Sequence, residues 1–241
     1  MERRNFLRLS ATSAAAVAIA PSLISGKLYA EDGSLFKTYE KVQLKDEQGN
    51  PLKASTLVAE ENYVFNYPHA ATPAIMVNLL ESASKDVKLK SADGTEYIYR
   101  GGVGAKGTIV AYSAICAHQM TRPTKEMAMF QYVPSTGKTL AYDKAGVFVC
   151  SSHLAAYDAK NGGKVLGGPA TQGLASIVLE IDKDDTLWAV AVLGPDKFED
   201  FFGAFKKELK AEFGRRGAKK LIKSETVVKT LKNFTAEIIQ A

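Results

Sequence analysis

The chain has 241 residues, of which 46% are hydrophobic and 24% charged, a composition typical of one soluble globular domain with extensions. Its net charge of +5 is concentrated at the two ends, because residues 1–30 carry four Lys/Arg against one Glu and residues 203–241 carry ten against four. The middle of the chain is therefore acidic, which excludes a general nucleic-acid-binding surface, and we expect no nucleic-acid partner.

Residues 1–30 predict a twin-arginine export signal. Arg3-Arg4 is followed by Phe6-Leu7, and residues 9–26 form an apolar, Ala-rich run without a charged side chain. We therefore expect the twin-arginine export machinery as a partner and a location on the periplasmic side. A run of this length is at the low end for a membrane span, so a cleaved signal and an uncleaved membrane anchor both stay open. The alternative is an Ala-rich amphipathic helix with a basic start.

Residues 31–61 are polar and predict an irregular segment, with a turn signal at 46–51 (DEQGNP). From 62 to 193 the pattern changes to short β-like runs separated by Gly, Pro, Asp and Asn, such as 108–116 (TIVAYSAIC) and 186–193 (TLWAVAVL). This spacing favours an antiparallel β sandwich or small barrel. Because no long amphipathic helix interrupts the runs, a parallel α/β fold is not expected.

Residues 194–241 predict a basic, helical C-terminal extension. Its first helix is indicated by apolar side chains at spacings of three and four, namely Phe198, Phe201, Phe202, Phe205, Leu209 and Phe213. The glycines of 214–217 (GRRG) end that helix. A second basic helix is expected after it, with an apolar face of Leu221, Ile222, Val228, Leu231, Phe234 and Ile238. The Lys/Arg side chains either face solvent or dock an acidic partner or an anionic membrane surface.

Two short boxes contain both cysteines and two of the three histidines: CAH at 116–118 and CSSH at 150–153. Each box follows a β-like run, so each would lie on a loop at the end of a strand. Two such loops side by side would bring two thiols and two imidazoles together. The residue types leave open a structural zinc site, a two-iron, two-sulfide cluster and coincidence. The third histidine, His69, is interpreted as an ordinary loop residue.

The order of these motifs resembles the Rieske iron–sulfur family. CAH is followed by CSSHLAAYD at 150–158 and by GGPATQGL at 167–174. The segments at 67–79 (YPHAATPAIMVNL), 107–118 and 167–179 are also similar to the small subunit of arsenite oxidase. The resemblance implies a mainly β fold over 62–193, a Rieske-type antiparallel sandwich or barrel with a small cluster-binding subdomain.

The resemblance also implies one Rieske [2Fe–2S] cluster per chain, held by loops 114–122 and 148–158 and covered by a proline loop at 167–171. Two cysteines would ligate the inner iron and two histidines the outer iron, whereas Tyr157 would bond to the Cys116 sulfur. Because imidazoles are neutral where thiolates are anionic, such a cluster accepts an electron more readily than an all-cysteine one. The implied metal ligands are Cys116, His118, Cys150 and His153, and the implied cofactor-binding residues are Tyr157, Gly168 and Pro169.

This chain departs from the family pattern at several positions. Thr121 and Ser152 stand where many Rieske proteins have a disulfide between the two loops, and Ala155 stands where the family often has a serine donor. A lost donor destabilises the reduced cluster, so we expect a lower potential than in quinol-oxidising members. The 31 residues between His118 and Cys150 are about twice the usual gap and contain an insertion, either a partner surface or an inert hairpin.

The function implied by the resemblance is electron transfer, without catalysis by this chain itself. The partners would be a catalytic large subunit, of the molybdenum-containing type, and a cytochrome-type electron acceptor. The alternative is the Rieske subunit of a cytochrome bc-type quinol-oxidising membrane complex. A zinc-stabilised binding module is a remote alternative. A Rieske oxygenase would need a second iron held by two histidines and a carboxylate, and only His69 is left for it.

Overall fold

The computed structural model describes residues 35–240. The predicted export signal or anchor at 1–30 lies outside the described residues. Within 35–240, no helix is long and apolar enough to cross a membrane. The fold is mainly β, as the sequence analysis predicted.

The strands of the described part are short, and most of them are paired antiparallel with their neighbours. They are β1 (Phe36–Lys45), β2 (Tyr63–Asn66), β3 (Pro73–Asn78), β4 (Val87–Lys90), β5 (Glu96–Tyr99), β6 (Ile109–Ser113), β7 (Met127–Ala128), β8 (Phe130–Val133), β9 (Val147–Cys150), β10 (Ala155–Asp158), β11 (Val165–Gly167), β12 (Ser176–Ile181), β13 (Leu187–Leu193), β14 (Glu225–Val227), β15 (Lys229–Thr230) and β16 (Glu237–Ile238). The helices are α1 (Phe198–Ala204), α2 (Lys206–Gly217) and α3 (Leu231–Phe234), with a 3-10 turn at Ala54–Thr56.

The largest sheet has eight strands in the order β14-β1-β13-β12-β6-β3-β2-β15. It is buried on both faces, because alternate residues of β3 enter different cores: Ala74 and Met76 join one cluster, and Ile75 and Val77 the other. The first cluster includes α1 and α2, through side chains such as Phe201. The second connects the large sheet to the part of the protein that carries both Cys–His boxes.

That part is a smaller sheet in the order β11-β10-β9-β8. The CSSH box forms the turn between β9 and β10, whose register pairs Cys150 with Ala155. Strand β8 comes from the insertion and extends this sheet at one edge, and β11 leads into the predicted proline loop at the other. The insertion at 119–149 is thus partly built into the subdomain.

Two predictions of local structure were wrong. Residues 31–61 are not irregular throughout, because β1 pairs with β13 along most of its length. Only the inward-facing half of β1 is apolar, with Val42 and Leu44 fully buried, so its composition looks polar. The second C-terminal helix is absent from 218–240, which forms β14, β15, the short α3 and β16. The β-branched residues at 226–228 (TVV) favour a strand over a helix, and strands at the edges of the large sheet are available to pair with this segment.

Candidate metal centre

The CAH box lies in a tight loop directly after β6. The Cys116 amide donates to the Thr121 carbonyl at 2.9 Å, and the Met120 amide donates to the Cys116 carbonyl at 2.9 Å. Met120 takes a left-handed conformation, with φ of 60°, which reverses the chain after His118. These bonds close the loop around a half-buried His118, so the box is held by its own backbone.

The CSSH box is the turn of a hairpin. Cys150 ends β9 and Ala155 begins β10, and Leu154 has a φ of 54° that allows the tight reversal. Burial changes abruptly along the turn, since Cys150 is fully buried whereas Ser152, His153 and Leu154 are exposed. The hairpin therefore presents its thiol to the interior and its imidazole to the surface.

The structure brings the four boxed side chains together as two pairs. Cys116 and Cys150 are both free and buried, and both belong to the core cluster that joins the two sheets. The His118 and His153 rings lie edge to face, with centroids 4.9 Å apart. His118 Nδ1 is buried without a hydrogen-bond partner. The sulfur pair lies inside and the imidazole pair extends from half-buried to exposed.

Tyr157 lies where the resemblance implied. Its hydroxyl oxygen is 3.3 Å from the Cys116 sulfur, and its side chain is fully buried beside Phe130. Burial raises the pKa of Tyr157, and a negative Cys116 sulfur raises it further. The phenol therefore stays protonated and can donate to that sulfur.

The two thiols do not lose their protons independently. The Cys150 thiol lowers the pKa of Cys116 by donating to its sulfur, and Tyr157 and the His118 and Gln119 amides act in the same direction against burial. The pKa of Cys150 is raised, because its proton is held by the Cys116 sulfur and because its own thiolate would be buried. Two thiolates at this site require a cation to offset their charge.

The proline loop lies against the CSSH hairpin. Gly168 has a φ of 84°, and a Cβ at this position would lie 2.7 Å from the Cα of Ala155. Only glycine allows this conformation and this approach together. Gly168 and the neighbouring Pro169 are exposed, so the loop forms part of the surface next to His153.

The donor set fits a two-iron cluster. Thiolates and imidazoles are the ligands of a Rieske [2Fe–2S] group, two of each kind. The structure supplies two buried thiols, two imidazoles and an unpartnered His118 nitrogen. Over residues 35–240, no three His, Cys, Asp or Glu side chains converge on a single ion. The two imidazoles contact each other, and the two thiols lie buried on the inner side of the boxes.

His69 is not part of this group. It lies in the turn between β2 and β3, half-buried, with its ring edge-on to Tyr39, Phe198 and Phe202 at centroid distances of 6.0, 5.7 and 5.2 Å. Burial lowers its pKa. It packs the first C-terminal helix against the large sheet.

Two residues at the boxes, Arg122 and Ser151, are not defining positions of any recognisable sequence motif. Both contact the C-terminal extension: Arg122 lies over the Phe201 and Phe205 rings, and Ser151 bonds to the Ile239 carbonyl. No local motif could have identified them, because Ser151 and Ile239 are 88 residues apart in the chain.

The chain is similar to several known proteins. Residues 78–178 match the family model of the Rieske [2Fe-2S] domain. The chain is 29% identical to iodate reductase subunit IdrB of Pseudomonas sp. (strain SCT) over 194 residues, 80% of each chain. It is 30% identical to the same subunit of Denitromonas iodatirespirans over 142 residues, 59% of this chain and 60% of that one. A crystal structure of the soluble domain of Rieske protein II from Sulfolobus acidocaldarius aligns with a TM-score of 0.45 and 24% identity, covering 65% of this chain and 80% of that one.

Proposed function

We propose that this chain is the electron-transfer subunit of an oxidoreductase complex on the periplasmic side of the cytoplasmic membrane, because residues 78–178 match the Rieske [2Fe-2S] domain and a similar protein is a reductase subunit. It would relay electrons between a catalytic subunit and a cytochrome-type acceptor. The observation that carries this proposal is the gradient of burial across the boxes, from two buried thiols to an exposed imidazole at His153.

The proposed ligands are Cys116 and Cys150 for the inner iron and His118 and His153 for the outer iron. Burial supports this division, since both thiols are fully buried whereas the two rings contact each other nearer the surface. The bound cluster supplies one-electron transfer at a potential above that of all-cysteine clusters. The residues of the chain hold it, exclude water from its inner side and provide a surface for the partner.

The surface at His153 is where we propose that electrons enter and leave. His153 and Leu154 are exposed at the tip of the hairpin, with the exposed Gly168 and Pro169 beside them. A partner that docks here comes within contact of an iron ligand without any movement of the fold. The buried side, with Tyr157, would instead tune the charge on the Cys116 sulfur.

The catalytic partner is proposed from the relatives. Two similar proteins are named as subunits of an iodate reductase. The resemblance to the arsenite oxidase small subunit indicates a molybdenum-containing large subunit. Since this chain would act as the relay, we expect the partner to set the substrate of the complex.

The location is proposed from Arg3-Arg4 and the apolar run behind it. Replacing both arginines by lysine should retain the chain in the cytoplasm, which fractionation of expressing cells measures. Equal amounts of the wild-type and variant chains in the periplasm and membrane would contradict the proposed route.

The cofactor is tested by purifying the chain, reducing it with dithionite and recording the electron paramagnetic resonance spectrum. We expect a rhombic signal that is lost in Cys150→Ser and kept in the control His69→Gln, whose side chain lies away from the boxes. A colourless, silent protein with stoichiometric zinc would reject electron transfer. Rapid reduction by a quinol, without any catalytic subunit, would instead favour a quinol-oxidising membrane complex.

A further inference from the structure

The segment at 225–240, outside the matched Rieske domain, crosses both edges of the large sheet. Strand β14 lies parallel to β1 at one edge, and β15 lies antiparallel to β2 at the other, with only Val228 between them. The Val228 amide donates to the Lys45 carbonyl at 2.7 Å, and the Leu231 amide donates to the Asn62 carbonyl at 2.8 Å. The segment therefore joins the two open edges and nearly closes the sheet.

After closing the sheet, the segment reaches the CSSH hairpin. Strand β16 lies parallel to β7 of the insertion, and the Ile239 amide donates to the Ala128 carbonyl at 2.9 Å. The Ile239 carbonyl then accepts two side-chain bonds, from Ser151 Oγ at 2.7 Å and from Gln131 Nε2 at 3.0 Å. Ser151 directly follows Cys150, so the segment contacts the residue next to a proposed ligand.

A small apolar cluster holds this segment in place. Val64, Ala128 and Leu231 are at most 1% exposed, and Phe234 and Ile238 pack against them. The cluster joins β2, the insertion and α3 into one packed unit. The contact at Ser151 is thus supported by buried apolar surface and does not depend on one hydrogen bond alone.

The CAH loop is held by another part of the C-terminal extension. The Arg122 guanidinium lies 5.0 Å from the Phe201 ring centroid and 5.1 Å from that of Phe205, with its side chain only 10% exposed. Glu208 and Glu212 of α2 lie 4.0 Å from its two terminal nitrogens. Arg122 follows Thr121, whose carbonyl accepts the Cys116 amide bond.

We propose that the C-terminal extension is a noncovalent clamp that fixes the CAH loop and the CSSH hairpin relative to each other, with Arg122 and Ser151 as positioning residues. This inference rests on the proposed function, since the clamp matters for a group held by both loops. Both cysteines are free, and Thr121 and Ser152 cannot form a disulfide between the loops. The two anchors lie directly beside those positions, so the extension supplies a restraint that the loops lack.

The test compares Ser151→Ala and Arg122→Met with Ser135→Ala, a control. Ser135 donates a hydrogen bond to Glu60 at 2.8 Å. It follows β8 at the end of the β8–β9 pair that lies away from Cys150. The first readout is the rate at which the visible absorbance of the bound cluster is lost with excess chelator. The second is amide hydrogen exchange of 116–122 and 150–155 in the cluster-free chain. Loss of the Ser151 hydrogen bond, or of the contacts of the Arg122 guanidinium with the Phe rings and carboxylates, should accelerate both rates by about two- to tenfold, and the control should match wild type.

Two further results distinguish positioning from general stability. Ser151→Thr keeps the hydroxyl and should restore both rates, and the reduced spectrum of Ser151→Ala should broaden because the loops take several arrangements. The clamp is rejected if both anchor variants match wild type, if Ser135→Ala has an equal effect, or if Ser151→Thr behaves like Ser151→Ala. If the wild-type chain binds no cluster, the proposed function fails, whereas the exchange rates of the cluster-free chain still test the clamp.

Discussion

The hydroxyl of Tyr157 should set part of the reduction potential, and Tyr157→Phe tests this directly. The substitution removes one oxygen, 3.3 Å from the Cys116 sulfur, and leaves a fully buried ring of nearly the same shape. The lost hydrogen bond stabilises the sulfur more when the cluster is reduced, because the reduced cluster carries more negative charge. If that difference is about 1 kcal/mol, within the usual range for one hydrogen bond, the potential falls by about 40 mV.

The assay is a redox titration followed by electron paramagnetic resonance, with Tyr132→Phe as the matched control. Tyr132 lies in the same small sheet, is 3% exposed, and donates its hydroxyl proton to Glu60 at 2.9 Å. Loss of the Tyr132–Glu60 hydrogen bond should lower the stability of the fold without changing the reduction potential of the cluster. An unchanged or raised potential in Tyr157→Phe, or an equal fall in Tyr132→Phe, would refute the assignment of this bond to the site.

Three other substitutions test the supports of the site. Gly168→Ala places a Cβ 2.7 Å from the Ala155 Cα at a φ of 84°, so we expect unfolding in urea to be easier by about 1–3 kcal/mol and cluster retention to fall. Leu231→Ala empties a site that is 1% exposed and should lower the free energy of unfolding by about 2–5 kcal/mol; an unaltered midpoint would contradict a packed C-terminal cluster. Burial lowers the pKa of His69, so the unfolded chain binds its proton more readily and stability should decline as the pH falls below about 6.5. Urea unfolding of His69→Gln across this range should show a flatter dependence, and an identical slope would exclude His69 as its source.

The ligands of the centre could be proposed from the sequence through the resemblance to the Rieske family, because that resemblance is carried by local motifs. These motifs are the spacing within CAH and CSSH and the position of Tyr157 four residues after His153. They can be recognised from neighbouring residues, without knowledge of the fold. Short runs of β-branched residues between Gly, Pro and Asn likewise predicted the β class. The Phe spacing after 197 predicted one helix, since an amphipathic helix repeats its apolar face every three to four residues, and the structure divides it at Phe205 into α1 and α2.

Only the tertiary structure decided what the remaining segments do. Residues 36–45 look polar but form a strand of the large sheet, second from one edge, because a strand there needs apolar side chains on its inward face alone. Residues 225–239 have spacings that suit a helix, yet they pair with the edges of the large sheet and with β7. A strand obtains its hydrogen bonds from partners far away in the chain, so neither the pairing nor the contacts at Ser151 and Arg122 can be deduced from neighbouring residues.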